Sequence, residues 1–120
     1  MFVGIDIVDN VRAEKLINNK AFLNKYFTES EINYVNDTVN RVMRLAGIFA
    51  CKEAFVKALE VGVGAGVNLK EVEVCHKESG APYLELHGSA KQLAMELGLA
   101  EIKISISHTD NISTAVCVCL

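Results

Sequence analysis

The segment GIFACKEAFVKAL, from Gly47 to Leu59, decides the fold of this chain. Its Ile, Phe, Ala, Val and Leu residues predict a buried helix, yet it carries three charged residues, Lys52, Glu53 and Lys57. Glu53 and Lys57 are four residues apart and share one face of the helix. Two interpretations stay open on this segment alone. The charges form a solvated i,i+4 pair, worth about 0.2–0.5 kcal/mol, or they belong to a metal and phosphate site.

The composition is that of a folded protein of one domain, residues 1–120, because 120 residues leave no room for a second core. Hydrophobic residues make up 51% of the chain and charged residues 22%. The net charge of −3 argues against a nucleic-acid partner, although a local basic site for an anionic small molecule is still allowed. The longest apolar runs are far shorter than the roughly 20 residues that span a bilayer, so we expect no membrane partner.

The N-terminus and the cysteines predict a cytoplasmic protein. Residues 1–4 lack the basic start of a secretory signal, and Asp6 and Asp9 interrupt the apolar start. The four cysteines, which lie in apolar segments at Cys51, Cys75, Cys117 and Cys119, form no CxxC pair. We therefore expect reduced thiols in the core.

Periodicity in the first half predicts one strand and then helices. Residues 2–8 (FVGIDIV) form a β-branched strand, and Asp9 is a plausible N-cap for a helix that continues through residue 22. Thr28 and Glu31 form a capping box at the start of the next helix. A long helix follows from residue 41 to residue 60, ended by a cluster of glycines at Gly62, Gly64 and Gly66.

The second half changes to a period of two. Strand patterns on either side of the turn at residues 78–82 predict a hairpin. A short helix at 89–97 precedes two last strands, at 102–106 and 114–118. This order of elements indicates an α+β fold with an antiparallel sheet packed against the long helix, and no repeating βαβ unit.

Polar residues in two strands are candidates for a functional site. Asp6 interrupts a strand that otherwise looks buried, where a lone carboxylate is costly unless it is paired or binds a metal. It could also cap the first helix or pair with Arg12. Ser107, His108 and Thr109 follow an alternating strand and precede a turn, although a polar strand end explains them equally well. His76 and His87 have no partners at ligand spacing, and we expect them on the surface.

Four motifs, taken together, resemble one enzyme family in order and spacing. These are GIDIVDNVR at residues 4–12, FTESE at 27–31, FACKEAFVKAL at 49–59 and SISHT at 105–109, with a G-x-G pattern after the long helix. They resemble the holo-acyl-carrier-protein synthases, the small class of 4′-phosphopantetheinyl transferases. The resemblance runs from Gly4 to about Val118 and implies the fold of that family.

The resemblance also implies a reaction. Members of the family transfer the 4′-phosphopantetheine arm of coenzyme A to a serine of apo-acyl carrier protein and release adenosine 3′,5′-bisphosphate. They use Mg²⁺ and are typically homotrimers that hold coenzyme A between neighbouring subunits. By position, the resemblance makes Asp6 and Glu53 the metal-binding and catalytic carboxylates and Lys57 the catalytic, phosphate-binding lysine. Arg12 is the carrier-binding residue. The nucleotide site includes Gly62, Gly64, Ser107, His108 and Thr109.

This chain departs from the family pattern at Ile48, where the family often has arginine. Arg44 or Lys52 could supply the missing positive charge. The apolar run at residues 112–120, with Ala115, Cys117 and Cys119 on alternate positions, is a candidate for the surface buried on association. Two other classes stay open: a non-catalytic module that binds coenzyme A or the carrier, and a Mg²⁺-dependent pyrophosphohydrolase.

Overall fold

A computed structural model describes residues 1–60 and 66–120 and has the predicted α+β architecture. In chain order the elements are β1 (Phe2–Asp9), α1 (Asn10–Leu16), α2 (Lys20–Tyr26), α3 (Glu29–Asn36), α4 (Arg41–Ala58), β2 (Val72–His76), β3 (Pro82–Leu86), α5 (Gly88–Glu96), β4 (Ile102–His108) and β5 (Ile112–Cys119). Three antiparallel strands form a sheet of order β1-β5-β4, and β2 and β3 form the predicted hairpin. None of the helices in these two ranges is long and apolar enough to cross a membrane.

The long helix α4 lies directly against β1 because the two backbones meet at small residues. A Cβ atom added at Gly4 would overlap the carbonyl oxygen of Ala54 and the backbone of Ala58. Ala54 and Ala58 are themselves completely buried. Glycine at position 4 therefore permits an approach that a larger residue would prevent. The prediction of an antiparallel sheet packed against a long helix is confirmed.

The predicted helix starts are confirmed in atomic detail. The Asp9 carboxylate accepts a hydrogen bond from the backbone of Val11 and caps α1. Thr28 and Glu31 form the reciprocal capping box of α3. Both caps satisfy backbone N–H groups that a helix start leaves without intrahelical partners.

Two predicted helix boundaries are wrong. The helix expected to continue through residue 22 is broken after Leu16, because Asn19 caps a separate helix, α2, by accepting a hydrogen bond from Phe22. Helix α4 ends at Ala58, before the glycine cluster. Glu60 takes the left-handed conformation, with φ of 57°, that was expected of a glycine.

The surface predicted to be buried on association faces the wrong way. Ala115, Cys117 and Cys119 are buried in the core. The opposite side of β5 presents Thr114, Val116 and Val118, and next to it β1 presents Val3, Ile5 and Ile7, which are 64%, 61% and 63% exposed. We call this the outer face of the sheet. Side chains alternate along a strand, so the predicted set, Ala115, Cys117 and Cys119, faces the core, and the residues between them face outward.

The cysteines are free thiols, and three of the four lie in the core as predicted. Cys117 and Cys119 are next to each other on one strand face, with Sγ atoms 3.7 Å apart. The prediction of a core position is wrong for Cys75, which is half-buried on the hairpin and lies beside Glu85.

A buried ion pair between Glu31 and Lys52 joins α3, α4 and the start of β2. Both side chains are fully buried, and Lys52 Nζ lies 2.8 Å from Glu31 Oε1. The same ammonium donates to the carbonyl oxygens of Leu69 and Val72, and Glu31 accepts from the backbone of Val74. Burial lowers the pKa of Lys52, and the facing Glu31 carboxylate opposes that change. Every polar atom of this pair thus has a partner, as a buried pair requires.

We expect Lys52→Met to destabilise the protein by about 3–5 kcal/mol, because it leaves the Glu31 carboxylate buried without a counter-charge. Urea unfolding at a fixed protomer concentration measures this change. Lys91→Met, at an exposed position of α5, is the matched control and should change stability by less than about 0.5 kcal/mol. The double variant Glu31→Gln/Lys52→Met should recover part of the loss. A Lys52→Met protein as stable as the Lys91→Met control would contradict the assigned role.

Candidate active site

Asp6, Glu53 and Lys57 come together where β1 crosses the C-terminal half of α4. Asp6 lies on the side of β1 that faces the helix, and Lys57 Nζ is 2.9 Å from its Oδ1 atom. The Asp6 side chain is 14% exposed, whereas that of Lys57 is 57% exposed. Of the possibilities left open for Asp6, the structure shows a lysine pair between a strand and a helix. It shows neither a helix cap nor a pair with Arg12.

Glu53 is half-buried beside this pair, and its environment is electrostatically strained. Burial raises the pKa of Glu53, and the nearby Asp6 carboxylate raises it further. Lys57 and Arg12 act in the opposite direction. Two carboxylates that repel each other in a partly buried position are an arrangement that a divalent cation stabilises.

The donor set of this cluster fits Mg²⁺. Asp6 and Glu53 supply carboxylate oxygens and together leave most positions of an octahedron to water or phosphate. Lys57 has a largely exposed side chain whose ammonium can also attract an anion. The structure brings these three residues together, while their metal-binding and catalytic roles stay predictions.

A cleft of about 460 Å³ opens beside Glu53. Its walls combine aromatic side chains, Phe22, Tyr26 and Phe49, with the cationic Arg12. The Arg12 guanidinium lies 5.8 Å from the centre of the Phe49 ring, and its side chain is exposed. Arg12 is thus on the rim of the cleft that contains Glu53, in a position to meet a partner that brings a group to the carboxylates.

A second cleft, of about 300 Å³, lies beside the N-terminal half of α4. Arg44, Gly47 and Ile48 form the helix side, Pro82 comes from the hairpin, and His108 comes from the end of β4. None of the described residues that line this cleft is acidic. It therefore has the charge expected of a site for an anion.

An aromatic stack forms one wall of the second cleft. The Tyr34 and His76 rings are stacked with centroids 3.9 Å apart, and the Arg44 guanidinium lies 3.9 Å from the Tyr34 ring. Arg44 also donates a hydrogen bond of 2.6 Å to the Tyr34 carbonyl oxygen. Burial, and then the Arg44 charge, lower the pKa of His76. The ring contact and this hydrogen bond together place Arg44 at the cleft.

The two clefts lie on opposite flanks of α4. Arg44 and Glu53 are nine residues apart, which at about 100° per residue turns the helix by about 180° beyond two full turns. A ligand at the Asp6–Glu53–Lys57 cluster therefore faces away from the second cleft of its own protomer.

The predicted Ser107–Thr109 segment is divided between two surfaces. His108 lines the second cleft, whereas Ser107 lies one position earlier on β4 and faces the outer side of the sheet. The Thr109 hydroxyl accepts hydrogen bonds from the backbone of Asn111 and Ile112 and so shapes the turn. The predicted nucleotide contacts at Gly62 and Gly64 lie outside the described residues.

Lys52 cannot supply the positive charge missing at Ile48. Its ammonium is fully buried and paired with Glu31. Ile48 is itself 1% exposed. Arg44 remains the cation that lines the second cleft.

Sequence reasoning missed Tyr34 and His76. They lie on α3 and β2 and meet only in the folded chain, so no local spacing identifies their stack with Arg44. The expectation of a surface position is confirmed for His87, which is exposed and has its Nε2 atom 3.0 Å from Glu73 Oε1. It is wrong for His76, which is half-buried in the stack with Tyr34.

Comparison with known proteins gives the same family as the sequence motifs. Residues 2–117 match the family described as the 4′-phosphopantetheinyl transferase superfamily. The chain is 41% identical to the holo-[acyl-carrier-protein] synthase of Thermoanaerobacter sp. (strain X514), over 98% of this chain and 87% of that protein. It is also 41% identical to the Treponema denticola enzyme of the same name, over 97% of this chain and 94% of that protein.

Solved structures agree with this match. The Helicobacter pylori holo-[acyl-carrier-protein] synthase in complex with coenzyme A has a TM-score of 0.86 and 32% identity, covering 98% of this chain and 99% of that chain. The Neisseria meningitidis enzyme has a TM-score of 0.89 and 26% identity, covering 99% and 97%. This chain belongs to the 4′-phosphopantetheinyl transferase superfamily, within its family of holo-[acyl-carrier-protein] synthases.

Proposed function

We propose that this protein transfers the 4′-phosphopantetheine group from coenzyme A to a serine of apo-acyl carrier protein, with Mg²⁺, and releases adenosine 3′,5′-bisphosphate. The observation that carries the proposal is the Asp6–Glu53–Lys57 cluster, whose Glu53 lines a cleft with aromatic and cationic walls. Family membership and the coenzyme A complex of the Helicobacter pylori relative support it. A cytoplasmic location and the absence of nucleic-acid and membrane partners stay predictions.

The chemistry is a phosphoryl transfer. The serine oxygen attacks the phosphorus next to the pantetheine arm, the pyrophosphate bond breaks, and adenosine 3′,5′-bisphosphate leaves with the bond's electron pair. Such transfers depend on positioning and on neutralising charge more than on covalent help from the protein. Mg²⁺ held by Asp6 and Glu53 would supply much of that neutralisation.

The residues of the cluster stabilise charge and accept the serine proton. Lys57 stabilises the negative charge that grows on the pyrophosphate, because its side chain is exposed and its ammonium lies beside Asp6. The serine proton goes to Glu53, whose pKa is raised by burial and by Asp6, or to a water molecule that Asp6 orients. Either group can act as the general base.

We place the nucleotide of coenzyme A in the second cleft of a neighbouring subunit. Coenzyme A that binds the carboxylate cluster of one protomer faces away from that protomer's second cleft, since the two lie on opposite flanks of α4. A neighbour can supply the missing half, with Arg44 and His108 as its cationic and polar groups. The exposed apolar outer face of the sheet is the surface that we assign to this association.

The assembly that we propose is a homotrimer. A closed ring of identical subunits repeats one heterologous contact, in which the carboxylate side of each protomer meets the second cleft of the next. Each of the resulting sites combines the same two halves.

The direct test is the intact mass of an apo-acyl carrier protein after incubation with coenzyme A, Mg²⁺ and the protein. We expect the carrier to gain one phosphopantetheine group. Bound but unchanged coenzyme A would indicate a non-catalytic module, and hydrolysis without carrier would indicate a pyrophosphohydrolase.

Glu53→Gln and Asp6→Asn should each lower the transfer rate by about 100-fold or more, because each removes a metal-binding charge. Near-normal turnover of Glu53→Gln at limiting Mg²⁺ would rule out the metal assignment.

Arg12 should affect the carrier and not coenzyme A. Acyl carrier proteins are acidic, so a rim charge steers their approach in a way that salt screens. We expect Arg12→Glu to raise the KM for the carrier by about tenfold, while the KM for coenzyme A changes less than about twofold. Lys91→Glu, a charge reversal on α5, is the matched control. Equal effects on both substrates would argue against a docking role.

Shared sites predict complementation between inactive variants. His108→Ala damages the nucleotide half and Glu53→Gln the carboxylate half, so mixed trimers contain some sites with both halves intact. Random exchange of equal amounts should restore about one quarter of the sites. The measurement is transferase activity after subunit exchange that mass spectrometry has verified. Activity that stays absent in exchanged trimers, or a fully active dilute monomer, would show that the site is not shared.

A further inference from the structure

The turn between β4 and β5 is attached to the start of α1 by a buried asparagine, Asn10. Because β1 pairs antiparallel with β5, the end of β1 at Asp9 lies opposite the start of β5 at Ile112. The first residue of α1 therefore lies beside residues 109–111, the turn that follows His108.

Four hydrogen bonds connect Asn10 to this hairpin. Its side-chain amide nitrogen donates to the carbonyl oxygens of Thr109 and Asp110, at 3.3 and 3.1 Å. Its side-chain oxygen accepts from the Ser113 hydroxyl at 2.9 Å, and its backbone N–H donates to the carbonyl oxygen of Asn111 at 2.8 Å. Because carbonyl oxygens only accept hydrogen bonds, the orientation of the amide is fixed.

Burial makes these contacts specific. Asn10 is 6% exposed and Ser113 is completely buried. A buried amide is stable only when its donors and acceptor are paired, and here all of them are. The amide therefore selects one position of the turn, because a displaced turn would leave it without partners in the core.

The turn fixed in this way directly follows His108, the last residue of β4. His108 lines the second cleft, and Thr109 shapes the turn with its hydroxyl. Both side chains are otherwise exposed, so packing does not hold them. The hydrogen bonds from Asn10 connect the backbone of the turn at residues 109–111 to α1.

We propose that Asn10 is a positioning residue for nucleotide binding: it acts through the Thr109 and Asp110 carbonyls to hold His108 and Thr109 where the adenosine bisphosphate part of coenzyme A binds. The inference rests on the proposed function. It assigns Asn10 no contact with the substrate. Loss of its donor group should weaken nucleotide binding and leave the response to the carrier unchanged.

Two variants of Asn10 test this role. Asn10→Asp keeps the size and the acceptor but turns an oxygen toward the two carbonyls. The double variant Asn10→Leu/Ser113→Ala replaces both buried partners by apolar groups, which a core tolerates better than one unpaired group. Asp9→Ala is the matched control, because it removes the cap of the same helix but no contact with the turn.

The measurements are the Kd for adenosine 3′,5′-bisphosphate by calorimetry, the KM for each substrate and the melting temperature. We expect both Asn10 variants to raise that Kd and the KM for coenzyme A by about tenfold, the scale on which a displaced positioning group acts. The KM for the carrier should stay within about twofold, and Asp9→Ala should change only the melting temperature.

Two outcomes would overturn the inference, and they differ from each other. If the Asn10 variants fold and bind the bisphosphate as the wild type does, Asn10 is merely structural and the proposed function still stands. If the wild-type protein neither binds the bisphosphate nor modifies the carrier, the proposed function fails, and the positioning role fails with it.

Discussion

The close contact between β1 and α4 is the constraint on which the site depends. Gly4 allows the strand to touch the backbone of Ala54 and Ala58. Those two alanines directly follow Glu53 and Lys57, and Asp6 lies two residues beyond Gly4 on the same side of the strand. The contact that brings the backbones together therefore also sets the separation of the two carboxylates and the lysine. A larger residue at position 4 would move the helix and the charges with it.

Adjacent charges in α4 have unrelated tasks because a helix turns about 100° per residue. Lys52 points into the core and holds α3 and β2 through Glu31, while Glu53 reaches the rim of a cleft. The buried pair fixes the rotation of α4 about its own axis, since any rotation would separate Lys52 from its three oxygen partners. The buried Lys52 contacts therefore also determine which way Glu53 points.

Much of this fold follows from local patterns, and what does not follow is nonlocal. The Asp9 cap and the Thr28–Glu31 box were predictable because cap and helix are neighbours in sequence. The Asp6–Lys57 pair was only partly predictable, since a lone strand carboxylate signals a partner without naming it. The stack of Tyr34 on His76 was not predictable, because it forms only when α3 and β2 meet in the folded chain. The side of β5 that faces the core was mistaken because both of its faces are apolar, so alternation carried no information.

The exposed apolar residues Val3, Ile5 and Ile7 affect how the newly made chain folds. β1 is at the edge of its sheet, so its apolar stripe lies next to backbone groups that can pair with another strand. An isolated protomer thus combines the two features that favour aggregation, a hydrophobic surface and an available strand edge. Folding of the newly made chain competes with this aggregation, so the yield of native protein depends on chain concentration.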